Sequence, residues 1–281
     1  MATRWPCYGR VRMPTRPRRA LVHALALVTL TGASACLHPS AAPRTLGAGQ
    51  AELDGLPAEL TLVCWNLHKR GGPRFDAELR EFTAGAELLL VQEASEAASP
   101  WPTLTASWAW TMVIAFEAGR ARRGTGVATA SVVAPSRELA LLSSVTEPLT
   151  NTPKSALVSW VALAGHPSPL VLVNLHGINF RPAAALDAQL RALDPVLAEH
   201  AGPLIVAGDF NTWSRDRRVV VAEFVARHRL RSAFAPSDEP RLDHVYVRGL
   251  EVRSAAVLPS RSSDHAALRV ELALPPAGPG D

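Results

Sequence analysis

Short runs rich in Val and Leu recur along this chain, and most are closed at one end by an acid, an amide or an imidazole. They occupy residues 60–65, 87–91, 126–133, 156–163, 170–175, 203–207, 245–247, 252–258 and 267–274. Runs this short, bounded by Gly, Pro or polar clusters, are the pattern of strands. Helical spacing appears at 75–84, where Phe75, Leu79 and Phe82 share one side and Gly85 marks a stop. It returns at 182–199, where Leu186, Leu190, Leu193 and Leu197 form a stripe and Pro195 predicts a kink or a split. A third helix is expected at 221–228. Strands outnumber helices and the two alternate, which implies sheets packed together with helices outside. With 48% apolar residues among 281, a full core can be buried. Neither linker nor repeat interrupts 59–274, which reads as one domain.

The polar ends of these runs are the informative feature. Four runs finish on one: LTLVCWN at Asn66, LLLVQE at Glu93, LVLVNLH at His176, and LIVAGDFN at Asp209 and Asn211. Two later runs start with one, Asp243 and His244 before VYV, and Asp264 and His265 before AALRVEL. If the last two strands run antiparallel to the first four, all of these groups reach the same rim, where open α/β sheets place ligands. Carboxylates and an amide oxygen are hard ligands suited to Mg²⁺ or Mn²⁺, and the Cys- or His-rich pairs expected of zinc are missing. A hard cation beside carboxylates and imidazoles suits the hydrolysis of a phosphoester. The run GTGVATAS at 124–131 is not a phosphate loop, because no GK[ST] follows it.

Taken in order, WN, QE, NLH, GDFN, LDHVYV and SDH resemble the endonuclease/exonuclease/phosphatase superfamily, whose best-known member is pancreatic-type deoxyribonuclease. The resemblance spans about residues 60–272. The stretches KSALV (154–158), NLHGINF (174–180), AGDFNTWS (207–214) and LDHVYVRGLEV (242–252) look closer still to a small, poorly characterised bacterial branch. The resemblance implies a four-layer α/β sandwich, two packed mixed sheets flanked by helices, and Mg²⁺- or Mn²⁺-dependent hydrolysis. It implies that Glu93 binds the metal, with Asn66 on metal or phosphate and Asp264 toward the metal. Asp209 would orient the attacking water, and Asn211 would hold Asp209 or the phosphate. His265, oriented by Asp243, would grip the phosphate. His176 would face the phosphate or leaving group, with no partner carboxylate evident. Singly, each of these residues is more simply a turn former, a solvated charge or a satisfied core histidine; the ordered set outweighs that. Lys69, Arg70, Arg120, Arg122, Arg123 and Arg181 read mostly as solvated surface. Trp213 and Phe180 flank the site, and Trp65 fits core packing.

Outside this domain the N-terminus stands apart. Residues 1–36 carry six Arg and no acid, then the apolar run 20–30 and the small-residue sequence TGASAC. This is the pattern of an export signal, and ASAC resembles a lipoprotein box with Cys36 as the acylated residue. An ordinary signal peptide cut after Ala35 or later is the alternative. Export places the mature chain in the periplasm or cell envelope. Residues 37–58 read as a tether and 275–281 as a frayed tail. Without the leader, 23 basic face 25 acidic side chains, so no general polyanion-binding surface is expected. Cys64 alone among the cysteines lies in the body and reads as a buried, inert thiol. A monomer acting on nucleic acid is the first expectation. A phosphatase or sphingomyelinase-like enzyme on lipid or sugar phosphates is the second, and an inactive surface lipoprotein that uses the fold for binding is the third.

Overall fold

The computed structural model describes residues 38–39, 43–48, 53–68, 73–96, 108–118, 120 and 122–275. The first sheet contains β1 (His38–Pro39), β2 (Pro43–Ala48), β3 (Glu59–Asn66), β4 (Leu88–Ser95), β5 (Ala109–Ala118), β6 (Arg123–Ser131), β13 (Glu251–Leu258) and β14 (Ala267–Ala273). The second contains β7 (Arg137–Leu142), β8 (Ser155–Val161), β9 (Leu170–His176), β10 (Leu204–Asp209), β11 (Arg231–Ser232) and β12 (Asp243–Arg248). Their orders are β1-β5-β6-β4-β3-β14-β13, with β2 also on β5, and β11-β12-β10-β9-β8-β7. The helices are α1 (Pro73–Phe82), α2 (Ala183–Arg191), α3 (Asp194–Glu199) and α4 (Arg215–Arg227).

The two sheets pack face to face. Leu60, Leu62 and Cys64 of β3 meet Leu170, Leu172, Ile205 and Val247 in the core between them. The opposite faces are covered by helices. Val63 and Trp65 lie under Phe75, Leu79 and Phe82 of α1, and Val171, Val173 and Val206 lie under Leu186, Leu190, Leu197 and Phe224. This gives the four layers expected. Strands buried on both faces need apolar residues at successive positions, which is why their runs are continuous rather than alternating. Gly85, at φ 67, ends the turn after α1. Pro195 divides the second helical stretch as anticipated, sitting in the first turn of α3 after α2 has ended.

Strand directions settle the geometry of the rim. β3 and β4 are parallel, as are β9 and β10, while β12 runs antiparallel to β10 and β14 antiparallel to β3. The ends of the first four strands therefore share a rim with the starts of the last two. Just beneath it the sheets are clasped by two fully buried amides. Gln92 donates to Asn174 Oδ1 at 2.7 Å, and Asn174 Nδ2 reaches Val91 O, Ala128 O and Thr129 Oγ1 at 3.2, 2.9 and 3.2 Å.

Three sequence expectations need correction. The stretch 37–58 is not simply a tether: β1 and β2 pair antiparallel with β5. Leu56 is buried and exchanges backbone hydrogen bonds with Ala162 and Ala164, each 2.8 Å. The helix expected at 221–228 starts six residues earlier, at Arg215, where the Ser214 side chain accepts from Arg217 N–H. Strands β5 and β7 were not anticipated. Residues 1–36, with the expected export signal and Cys36, and residues 276–281 of the expected tail lie outside the described residues.

Replacing Asn174 with Leu should cost about 3 kcal/mol, because Gln92 and two strand carbonyls lose a buried partner. Changing Gln92 and Asn174 to Leu together should cost less than the sum of the single changes. Urea denaturation of the four proteins measures both quantities.

Candidate active site

At the rim, β10 delivers Asp209 beside His176 in parallel register and opposite Asp243 in antiparallel register. The close strand approach demands glycine one residue earlier. Gly208 has φ +146, and a Cβ there would lie 1.8 Å from Leu175 O. The chain then turns through Asn211 at φ 54. Asp209 is almost fully buried. Its Oδ1 accepts from Asn211 N at 2.8 Å, and its Oδ2 accepts from Asn66 Nδ2 at 3.0 Å and Asn211 Nδ2 at 3.3 Å. His176 Nε2 lies 3.6 Å from Oδ2, so the carboxylate beside this histidine is Asp209 itself. The Asn66–Asp209 bond crosses from one sheet to the other.

Across the site, His265 Nδ1 meets Asp243 Oδ2 at 2.7 Å. Burial alone would lower the imidazole pKa, but the bond to Asp243 and the charges of Asp243, Asp209 and Asp264 outweigh it and raise the pKa to about 9. Asp209 is likewise raised, well above an ordinary carboxylate. Burial first, and the nearby Asp243 second, push it up to about 7, against the pull of His265 and the Asn211 and Asn66 bonds. Asp209, Asp243 and His265 offer ligand atoms all within 4.8 Å of one another. Asp243 Oδ1 is buried with no hydrogen-bond partner. Crowded carboxylates and an orphaned carboxylate oxygen are a deficit of positive charge, which a hard divalent cation bound beside them would relieve.

The three expected metal ligands are placed differently. Glu93 follows Gln92, which is in register with Asn66, and a bulge between Val91 and Ala94 turns the backbone at φ 51. Its half-buried carboxylate lines a small cleft with His176 and Lys154. Asn66 gives its amide to Asp209, while its oxygen accepts His68 N at 3.0 Å. Asp264 is exposed and pairs with His68 Nδ1 at 2.9 Å.

Several supporting residues escaped the sequence reading. Glu78 of α1 accepts from Ser260, Arg261 and Ser262, clamping the loop that leads into Asp264 and His265. Partial burial opposes its charge, but these bonds hold its carboxyl below the usual range. Ser263 Oγ accepts from His265 N and donates to Asn66 O. Gln189 of α2 holds His176 O and Ile178 N at 2.9 and 2.7 Å. Arg217, buried in α4, donates to Asn211 O and Ile178 O, each 2.5 Å, joining the loops after β9 and β10. No sequence signal marks these residues, since polar residues on helices look solvated. Trp65 is core, with Nε1 donating to His265 O at 3.1 Å. Phe180 and Trp213 stand out at 64% and 45% exposure, and Asn179 Oδ1 accepts from Phe180 N and Trp213 Nε1. Arg122 is tied to Glu117, and Arg181 to Thr146 O. Lys69 and Arg70 lie outside the described residues. Cys64 is buried against Gln92, and burial, with the charge of Asp243 behind it, pushes its thiol pKa up, as an inert thiol requires.

A family model described as Endonuclease/Exonuclease/phosphatase family matches residues 63–265. The chain belongs to the endonuclease/exonuclease/phosphatase family. It is 36% identical over 226 residues to a UPF0294 protein of Vibrio parahaemolyticus, covering 77% of this chain and 78% of that one. A UPF0294 protein of Vibrio cholerae is 34% identical over 235 residues, covering 80% and 82%. These relatives are the bacterial branch to which the longer motifs pointed. Among solved structures, the human Nocturnin catalytic domain with bound sulfate anion superposes with a TM-score of 0.61 at 19% identity, covering 79% of this chain and 96% of that one. Sphingomyelinase C from Streptomyces griseocarneus gives 0.54 at 18%, covering 76% and 99%. Both share the fold. Family membership makes the chain a hydrolase of the phosphoesterase kind.

In metal-free protein, NMR titration of His265 should give a pKa near 9, and Asp243→Asn should bring it down. Since the folded value exceeds the unfolded 6.5, the pair's stabilisation is full below about pH 6.5 and is lost as pH rises through about 9. The stability gap between wild type and Asp243→Asn should therefore close across that window. An unchanged gap at pH 10 would contradict the pairing.

Proposed function

We propose that this family member is a divalent-metal-dependent phosphodiesterase, with nucleic acid as its first substrate class. The observation that carries the reading is the buried Asp209 carboxylate facing the Asp243–His265 pair across a rim built from both sheets. Mg²⁺ or Mn²⁺ bound at the Glu93–Asn66 corner, with Asp264 as a third candidate ligand, would supply neutralisation of the phosphate oxygens.

The residues of the chain divide the remaining work. Asp209, fixed by Asn66 and Asn211, orients the water that attacks phosphorus and receives its proton; a pKa near 7 suits that exchange. His265 stays protonated on Asp243 and presents Nε2–H to a phosphate oxygen as charge builds there. His176 stands beside Asp209 on the phosphate or leaving-group side. Phe180 and Trp213, held at the rim by Asn179, are placed to stack on a base, which favours nucleic acid.

A second reading is a phosphatase or sphingomyelinase-like enzyme on lipid or sugar phosphates. The nearly balanced charge of the body, with no broad basic surface, favours it. Turnover on plasmid DNA, single strands, sphingomyelin and inositol phosphates, each with added metal, separates the two. We further propose that the chain is exported and held at the envelope through Cys36, acting as a monomer.

Excess chelator should stop turnover on every cleaved substrate, and added Mg²⁺ or Mn²⁺ should restore it. Glu93→Gln should raise the metal concentration needed. His265→Ala should lower turnover about 10²–10³-fold, and Asp209→Asn at least as much. Adding Asp243→Asn to His265→Ala should cost little more, because the two act as a unit. Multiplicative losses at saturating metal would separate their roles.

Mass spectrometry of membrane-extracted protein should find a diacylglyceryl adduct on Cys36. An unmodified N-terminus at His38 or beyond would remove the anchor and leave export standing.

A further inference from the structure

β12 presents Asp243 to the catalytic rim and the next residue, His244, to the opposite face of the sheet. There a cavity of about 520 Å³ opens between β12, α4 and the segment that enters β12. This volume is in the range of pockets that enclose a small organic molecule. One wall is aromatic: His244 and Tyr246 stack at 5.5 Å and 13°, and the buried Phe210 packs edge-on against both. The α4 side contributes Val221, Ala222 and Val225. The wall's polar groups are already spoken for. His244 bonds Thr212 Oγ1 at 2.7 Å and Glu239 at 3.2 Å, and Tyr246 donates to the same Glu239 oxygen at 3.4 Å. Burial, outweighing the nearby carboxylates, lowers the His244 pKa.

Two arginines, Arg218 and Arg241, both exposed, also line the cavity. Among the described residues neither forms an ion pair. Arg218 has one long contact to Thr212 O at 3.3 Å, and Arg241 is engaged through its backbone carbonyl, which accepts from Thr212 Oγ1. The one carboxylate in the lining, Glu239, is committed to His244 and Tyr246. An apolar and aromatic chamber edged by two uncommitted guanidiniums favours a ligand with an apolar body and a single negative head.

We propose that this cavity is a second binding site, separate from the phosphoester site, for a small amphipathic anion: a carboxylate, sulfonate or phosphate carried on an aromatic or short aliphatic body. The head is received by Arg218 and Arg241, and the body rests between the aromatic wall and α4.

The probe is 1-anilinonaphthalene-8-sulfonate, titrated into the folded full chain and followed by fluorescence and by methyl NMR. Saturable one-to-one binding is expected, with shifts in the Val221 and Val225 methyls and none at Val219, which is 48% exposed and does not line the cavity. Arg218→Gln with Arg241→Gln should weaken binding by about tenfold or more, the loss expected of charge-assisted bonds. Ala222→Glu, an exposed helix position that tolerates Glu, should abolish it by filling the chamber with a negative charge. Phe180→Ser and Arg253→Gln should leave it unchanged. N-phenyl-1-naphthylamine, the same body without the sulfonate, should bind more weakly. Binding insensitive to the arginine pair and to Ala222→Glu, or methyl shifts confined to the Phe180–Trp213 rim, would overturn the proposal. So would equal affinity for the uncharged analogue.

Discussion

The amide clasp between Gln92 and Asn174 is the contact on which the rest of the site depends. Two apolar sheet faces attract each other without specifying how far one slides along the other. A buried amide pair does specify it, because any slip leaves several donors and acceptors stranded in a dry core. Gln92 lies in register with Asn66, and Asn174 lies two residues before His176. Fixing that pair therefore fixes the height at which Asn66 of the first sheet meets Asp209 of the second. Gln92 itself lies in the bulge between Val91 and Ala94 that turns Glu93, so this corner is positioned by the same contact.

Electrostatics follow from that placement. Asp209 and Asp243 lie opposite each other in register, and burial denies both the help of water. The result is a carboxylate pushed up to about 7 and an imidazole pulled up to about 9, each perturbed partly by the other's charge. A carboxyl group brought up to about 7 takes up a proton near neutral pH at modest cost, while an imidazole raised to about 9 keeps its charge there. The surrounding loops keep the arrangement still. Glu78, Gln189 and Arg217 each reach from a helix into a loop that carries a site residue, so the helices brace the rim as well as cover the sheets.

Much of this was legible because strands buried on both faces write long apolar runs, and a polar residue closing such a run stands out. The antiparallel return of the last two strands, the split at Pro195 and the pairing of Asp243 with His265 were all within reach of ordered motifs. Strand β7 was missed because RELALL at an edge has no strand alternation. The register of β2 on β5 depends on a partner about 65 residues away, which no local pattern encodes. Glu78 meets its serines some 180 residues later, and a glutamate on a helix looks solvated until the fold closes over it. The adjacency of His176 and Asp209 belongs to the same class: both residues were singled out, yet only the parallel register of β9 and β10 makes them neighbours.

The hydrogen bond from Asn66 to Asp209 joins side chains carried by different sheets, and so does the approach of His265 to Asp209. The proposed active centre is thus a seam rather than a pocket hollowed in one wall. A seam is lost by shear: every strand can keep its ladder intact while a small displacement of one sheet over the other parts the halves of the site. What keeps the two halves of the proposed site together is therefore the buried interlayer rather than the ladder of either sheet alone.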